Sequence, residues 1–173
     1  MIVDFDQVTK NESLGVGSSC TVYHGKYKRT DVAVKVMMRN MVTSNNLKEF
    51  IREIEILMKT RHPNLVLFMG ACVEEDLAIL MEYCSGDNLF KLLHEKSDVN
   101  LSWSQKLKMC VDVAQGMHFL HNNNPPIIHR DLKSLNLLMT APVNSDTDPI
   151  NVKITDFGIS RILDISEQAL LSG

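Results

Sequence analysis

The densest chemistry in the sequence is the block I-I-H-R-D-L-K-S-L-N, from Ile127 to Asn136. Asp131 would accept or orient the proton of an attacking hydroxyl. Lys133, two residues on, would neutralise charge on a transferring phosphoryl group, and Asn136 would hold a Mg²⁺ ion. A T-D-F-G run follows, in which Asp156 supplies the hard carboxylate oxygen that Mg²⁺ prefers. There Gly158 lets the chain turn and Phe157 can pack inward. Either tripeptide alone could arise in any loop; the block and D-F-G in this order, behind the features below, do not read as coincidence.

Upstream stands L-G-V-G-S-S-C-T-V, from Leu14 to Val22. Gly15 and Gly17 let backbone N–H groups approach a phosphate with no Cβ in the way, although a glycine-rich hairpin alone is weak evidence. The pattern departs from G-x-G-x-x-G, since Cys20 occupies the place of the third glycine. Next comes V-A-V-K, ending at Lys35, whose ammonium is a point charge suited to α- and β-phosphates. A solvent-facing lysine alternating with core valines would look the same. A carboxylate on the following helical segment shifts the balance, because a Lys–Glu pair would satisfy both groups. Glu53 borders the apolar stripe on one side and Glu55 on the other, and periodicity does not choose between them.

These groups need elements to hold them. Val8 to Leu14, Thr21 to Tyr27 and Val32 to Val36 read as a three-stranded meander. From Leu47 the period becomes helical, with Phe50, Ile51, Ile54, Leu57 and Met58 on the stripe, and His62-Pro63-Asn64 stops it. Two strands follow, Leu65 to Cys72 and Leu77 to Met81, and Ser85-Gly86-Asp87 makes a polar break between two lobes. Beyond it lie a short helix over Leu89 to His94 and a long one marked by Trp103, Leu107, Cys110, Val111, Ala114 and Met117. Ser102 and Gln105 fit a capping box at the start of the long helix. A polar loop, Thr140 to Asn151, leads to a short strand, Val152 to Ile154.

Composition narrows the classes. Of the 173 residues, 45% are hydrophobic and 23% charged, ordinary for a globular chain. A net charge of −3 with both signs interspersed gives no nucleic-acid footprint. No apolar run would span a bilayer, and Asp4 and Asp6 interrupt any signal-peptide layout, so a cytoplasmic location is expected. Cys20, Cys72, Cys84 and Cys110 are scattered and read as reduced thiols. His118 and His121 fit packing, His24, His62 and His94 have no metal-ligand partner at useful spacing, and no zinc site is expected.

The ensemble resembles a eukaryotic-type protein kinase. K-T-R-H-P-N-L-V-L-F-M-G (Lys59 to Gly70), G-M-H-F-L-H and P-P-I-I-H-R-D-L-K-S-L-N resemble the tyrosine-kinase-like, Raf-resembling group, and the resemblance covers essentially the whole chain. It implies an α+β, protein-kinase-like two-lobe fold: a β-rich N-lobe with one regulatory helix (residues 1–84 with the hinge), then an incomplete helical C-lobe (residues 85–173). It implies ATP in the cleft between lobes with Mg²⁺, and a protein substrate phosphorylated on Ser or Thr, with Tyr open. In that group the regulatory-helix glutamate lies four residues before a stretch like L-M-K-T-R-H-P-N, which selects Glu53. Met81 then stands at the gatekeeper position, with Glu82, Tyr83 and Cys84 as the hinge and the backbone of Glu82 and Cys84 on adenine. Leu14, Gly15 and Gly17 cover the nucleotide, and Val22, Ala33 and Leu138 sandwich the ring. Leu57, Phe68, His129 and Phe157 match the stack that is aligned in active kinases.

The pattern of the group runs on to an A-P-E motif that this sequence does not contain. The remainder of a kinase domain is therefore expected as a partner of this piece, the piece alone is expected to be inactive, and the long helix is expected to expose its apolar stripe. The competing reading is a nucleotide-binding pseudokinase or interaction module. Cys20 is expected on a mobile, exposed loop, reacting before Cys110. Asp164 and Glu167 fit a capping box for a helix over Ile165 to Leu171 that would hold Glu53 away from Lys35, with Ser166 or Ser172 as phosphorylation sites.

Overall fold

The computed structural model describes residues 2–74, 76–96 and 98–163. Two compact units form: the chain up to Lys59 with Leu67–Tyr83, and Thr60–Val66 with the chain from Cys84 onward.

In the first unit β1 (Val8–Val16), β2 (Cys20–Tyr27), β3 (Thr30–Met37), β4 (Phe68–Cys72) and β5 (Ala78–Glu82) build one antiparallel sheet in the order β1-β2-β3-β5-β4. The meander is as expected, but β1 runs two residues past Leu14. Tyr27 pairs with Thr30 across a two-residue turn in which Lys28 and Arg29 both take positive φ, the conformation that matches the twist of a hairpin. Register sorts the strands into two faces. Val32, Val34, Ala78, Leu80 and Cys72 are buried together with Val3 and Val8. Val22, Ala33 and Lys35 lie on the opposite side, because alternate residues face opposite ways and directly paired residues face the same way.

Helix α1 (Ser44–Lys59) buries Phe50, Glu53, Ile56 and Leu57. The expected stripe is rotated: Ile51 and Met58 are 47% and 60% exposed. The helix carries apolar residues on two adjacent faces, about one residue's turn (roughly 100°) apart. The face bearing Glu53 is turned inward, where Lys35 satisfies its carboxylate.

In the second unit Asn88 caps α2 (Leu89–His94), and Ser102 and Gln105 form the expected capping box of α3 (Trp103–His121). The Gln105 Nε2 also donates to the carbonyls of Ser145 and Asp148, both at 2.9 Å, fastening the 140–151 loop to the start of α3. The inner face of α3 carries Gln105, Met109, Asp112, Gly116 and Leu120. Its apolar stripe lies open, as expected: Trp103 is 73% exposed, and Leu107, Cys110 and Val111 are exposed too. Buried Asp112 pairs with Lys108 and accepts from the Val152 N–H at 3.0 Å. A Cβ on Gly116 would stand 2.9 Å from Ile154 Cδ1 and 3.0 Å from the Asn64 carbonyl, so the close approach of α3 needs glycine here.

Short strands complete this unit: β6 (Ile127–Ile128) pairs with β9 (Arg161–Ile162), and β7 (Leu137–Met139) with β8 (Val152–Ile154). Leu65 joins β8 by a parallel bridge, the Asn64 Nδ2 donates to Val152 O at 3.0 Å, and Val66 N donates to Ile154 O at 3.0 Å. Expected as the start of a strand, Leu65 instead belongs to the second unit, and β4 begins at Phe68. Among the described residues no helix is long and apolar enough to cross a membrane.

Candidate active site

Each unit presents its own polar cluster. In the first, Lys35 sits in β3 opposite Val22 of β2 and Ile79 of β5. Its Nζ donates to both carboxylate oxygens of Glu53, at 2.7 and 2.8 Å. The side chains are 14% and 5% exposed, so the pair is largely withdrawn from water. Glu55 is exposed, and the choice between the two glutamates falls to Glu53. Lys35 and Glu53 are thus in contact; the helix expected over Ile165 to Leu171, with Asp164, Ser166, Glu167 and Ser172, lies outside the described residues.

The same unit holds Ala33 in register with Met81 and Val32 with Glu82. Met81 is buried, and the Glu82 carboxylate accepts the Leu67 backbone N–H at 2.6 Å, an anchor for the chain after β5 that no sequence signal announced. Gly15 pairs with Val22, and a Cβ on Gly15 would meet nothing within 4 Å. The glycine leaves open space over the strand rather than relieving backbone strain. Gly17 N–H donates to Cys20 O at 2.8 Å, closing the turn between β1 and β2. Leu14 and Val16 are exposed. Cys20 corrects the expectation of an exposed thiol: it opens β2, is only 8% exposed, and its Sγ lies 3.8 Å from Ser19 Oγ. Cys110 is the exposed cysteine.

In the second unit the 127–136 block folds around Asp131. Lys133 Nζ reaches its Oδ2 at 2.6 Å, and Asn136 Nδ2 donates to the same oxygen at 3.0 Å and to the Asp131 carbonyl at 2.9 Å. The hydrogen bond from Lys133 leads in holding the Asp131 carboxyl below its ordinary pKa; burial opposes it, and the hydrogen bond from Asn136 and the Lys133 charge add to the lowering. Asp131 is thus ionised at neutral pH and able to accept a hydrogen bond. Below it, buried His129 donates from Nε2 to the Thr155 carbonyl at 3.0 Å and packs edge-on against buried Phe157, with centroids 5.2 Å apart. Burial dominates in pushing the His129 pKa down, against the raising influence of the Thr155 carbonyl, Asp156 and Asp131.

Leu137 lies opposite Ile154 in the β7–β8 hairpin, which brings Asn136 and Asp156 to the same end of it, and Thr155 N donates to Asn136 O at 3.0 Å. With its Nδ2 engaged by Asp131, the Asn136 side chain offers an oxygen, the donor type Mg²⁺ takes. Asp156 and Arg130 both take positive φ, 65° and 67°, sharp turns at which Arg130 Nε donates to Ile159 O at 2.5 Å. Ser160, absent from the sequence expectations, is fully buried and donates to His129 O at 3.0 Å. Among the described residues no cluster of three or more His, Cys, Asp or Glu could hold a metal.

Residues 8–172 match the family described as protein tyrosine and serine/threonine kinase. The chain is 44% identical over 153 residues to serine/threonine-protein kinase CTR1 of Arabidopsis thaliana, covering 87% of this chain and 18% of that protein. It is 38% identical over 161 residues to probable serine/threonine-protein kinase drkA of Dictyostelium discoideum, covering 92% of this chain and 24% of that protein. Against probable serine/threonine-protein kinase SIS8 of Arabidopsis thaliana it is 41% identical over 159 residues, 91% of this chain and 15% of that protein. The chain thus spans less than a quarter of the length of these relatives. On the family match over nearly its whole length, and with the relatives it aligns to, this chain belongs to the protein tyrosine and serine/threonine kinase family.

Proposed function

We propose that the chain carries the nucleotide-binding and phosphoryl-transfer groups of a cytoplasmic signalling kinase that phosphorylates protein serine or threonine hydroxyls. The observation that carries this reading is the Asp131 carboxylate held by Lys133 at 2.6 Å and Asn136 at 3.0 Å. A fixed, ionised carboxylate beside a cation is what an acceptor hydroxyl needs to be oriented and relieved of its proton. Lys133 then neutralises charge on the group in transfer. Its place in the loop, two residues after Asp131, and the names of the aligned relatives favour serine or threonine as acceptor.

Lys35, fixed by Glu53, anchors the α- and β-phosphates in this reading. Gly15 and Gly17 of the first unit cover the phosphates in this reading, Leu14, Val22, Ala33 and Met81 of that unit are assigned to the nucleotide with the backbone of Glu82 on adenine, and Leu138 and the Cys84 backbone are the second unit's contribution to the same ligand. Asn136 and Asp156 would hold Mg²⁺, which would supply charge neutralisation to the phosphates.

The test is transfer of labelled γ-phosphate from Mg-ATP to a protein acceptor, using the chain joined to the remaining segment of a kinase domain. Phosphoserine or phosphothreonine should form, and Asp131→Asn should lower turnover by about 10² or more with Mg-ATP affinity unchanged. Turnover retained in Asp131→Asn removes that residue from its role.

A further inference from the structure

His24 lies in β2, and both of its ring nitrogens face carboxylates. Nδ1 is 2.9 Å from Glu12 Oε1 on β1, and Nε2 is 2.9 Å from Asp31 Oδ1 on β3. One residue therefore ties the three strands of the meander together at side-chain level. The ring also stacks on Tyr83, the residue after β5, with centroids 4.3 Å apart and planes 24° apart. Its place in the register gives the arrangement meaning. His24 pairs with Ala33, Val22 pairs with Lys35, and Ala33 pairs with Met81, so the imidazole shares the sheet face of Val22, Ala33, Lys35 and Met81.

We infer that His24 is a positioning residue for nucleotide binding: held between Glu12 and Asp31, its ring fixes the side chain of Tyr83 and so the chain on either side of it. The inference rests on the reading that Glu82 and Cys84, which flank Tyr83, bind adenine through their backbone.

The physical case turns on hydrogen-bond inventory. A carboxylate can only accept, so satisfying both contacts requires N–H on both ring nitrogens, which only the imidazolium provides. A neutral ring keeps one N–H and sets a lone pair against the other carboxylate, releasing one arm of the clamp. The side chain of His24 is 17% exposed, and those of Glu12 and Asp31 are 65% and 50% exposed. Burial alone would lower the His24 pKa, but the hydrogen bonds to Asp31 and Glu12 and their charges outweigh it and raise it. The groups facing the ring are thus Glu12 from β1, Asp31 from β3 and Tyr83 after β5. Lys26 lies two residues along β2, in register with Asp31, and Lys10 of β1 reaches instead over the rings of Phe5 and Tyr23. With its folded-state pKa raised, the clamp is complete at low pH and is lost as pH rises through that value. Nucleotide affinity should follow it.

The experiment follows labelled His and Tyr rings by NMR and measures Mg-ATP affinity by calorimetry, from about pH 6 to about pH 8.5, in the wild-type chain, His24→Asn and Glu12→Gln. The nucleotide's own titration is common to all three proteins and cancels in the comparison. We expect the Tyr83 ring resonance to move with the titration of His24. Wild-type affinity should fall about threefold more than that of His24→Asn across the range, the size an exposed ion pair can carry. In Glu12→Gln the His24 titration, and the change in affinity with it, should move to lower pH. A Tyr83 ring indifferent to His24 ionisation, or parallel affinity profiles in wild type and His24→Asn, overturns the positioning role while leaving nucleotide binding standing. Tyr83 coupled to His24 with no Mg-ATP bound at any pH overturns the nucleotide reading, and the positioning role falls with it.

Discussion

His129 accepts the backbone N–H of Asp131 on Nδ1 at 3.3 Å while its Nε2 donates to Thr155 O. The two contacts together fix a neutral ring with the proton on Nε2. The His129 pKa is lowered in the folded state, chiefly by burial. As pH falls below the ordinary histidine value of about 6.5, the unfolded chain takes up a proton that the folded ring refuses, and stability falls. For His24, whose pKa is raised, the slope has the opposite sign: its contribution is full below the ordinary value and is lost as pH rises through the folded one. Hydrogen exchange across the two units should show the second protected less as pH drops below about 6.5, and the His129 ring should protonate only below that ordinary value. A His129 ring that titrates at or above the ordinary value would contradict this.

The Lys35–Glu53 pair revises the simplest view of Lys35→Met, in which phosphate anchoring is lost and the fold is untouched. Glu53 is 4% exposed, so removing the Lys35 cation takes two charge-assisted hydrogen bonds from a buried carboxylate. We expect a loss of about 3 kcal/mol in the first unit alongside weakened Mg-ATP binding. Adding Glu53→Gln should return part of that stability and none of the affinity. Denaturant melts of the two variants with matched calorimetry separate the effects, and an undiminished melt in Lys35→Met would show that the carboxylate is relieved in another way.

The thiols make a third prediction, in the order opposite to that expected from sequence. Cys110 is exposed on α3, whereas Cys20 and Cys72 are buried. Burial, aided by Asp4 and Asp76, pushes the Cys72 thiol up to about 11, which starves it of thiolate. Limited alkylation followed by mass spectrometry should find Cys110 modified first and Cys72 last. Early labelling of Cys20 would mean that the start of β2 opens readily.

Local signals carried far. The block at Asp131, the capping box at Ser102 and Gln105, and the strand bearing Lys35 are all readable because each is a short run whose chemistry or periodicity is contained within itself. Three-dimensional competition decided the rest. Phe50 and Ile51 are neighbours on α1 with similar hydrophobicity, and only the pairing of buried Glu53 with Lys35 fixes which is turned inward. The Cys20 thiol could not be placed by a rule about glycine-rich turns, because its burial comes from where β2 begins. The side-chain contacts of Ser160, Glu82 and His24 gave no signal: their partners lie 31, 15, and 12 and 7 residues away, and no spacing rule joins a side chain to a backbone group or a strand at such distances.

The bond from Asn64 to Val152 joins residues 88 apart in sequence, and it has a consequence for anyone who recombines this chain with its relatives. A crossover at the obvious place, between Tyr83 and Cys84, would take Thr60–Val66 from one parent and the strand it lies against from the other. Side chains at that seam, Asn64 and Leu65 against Val152, Ile154 and Gly116, would then be inherited from different ancestors. Chimeras that transplant the heptapeptide Thr60–Val66 together with everything from Cys84 onward preserve the seam, so the transferable module is discontinuous in the gene although contiguous in space.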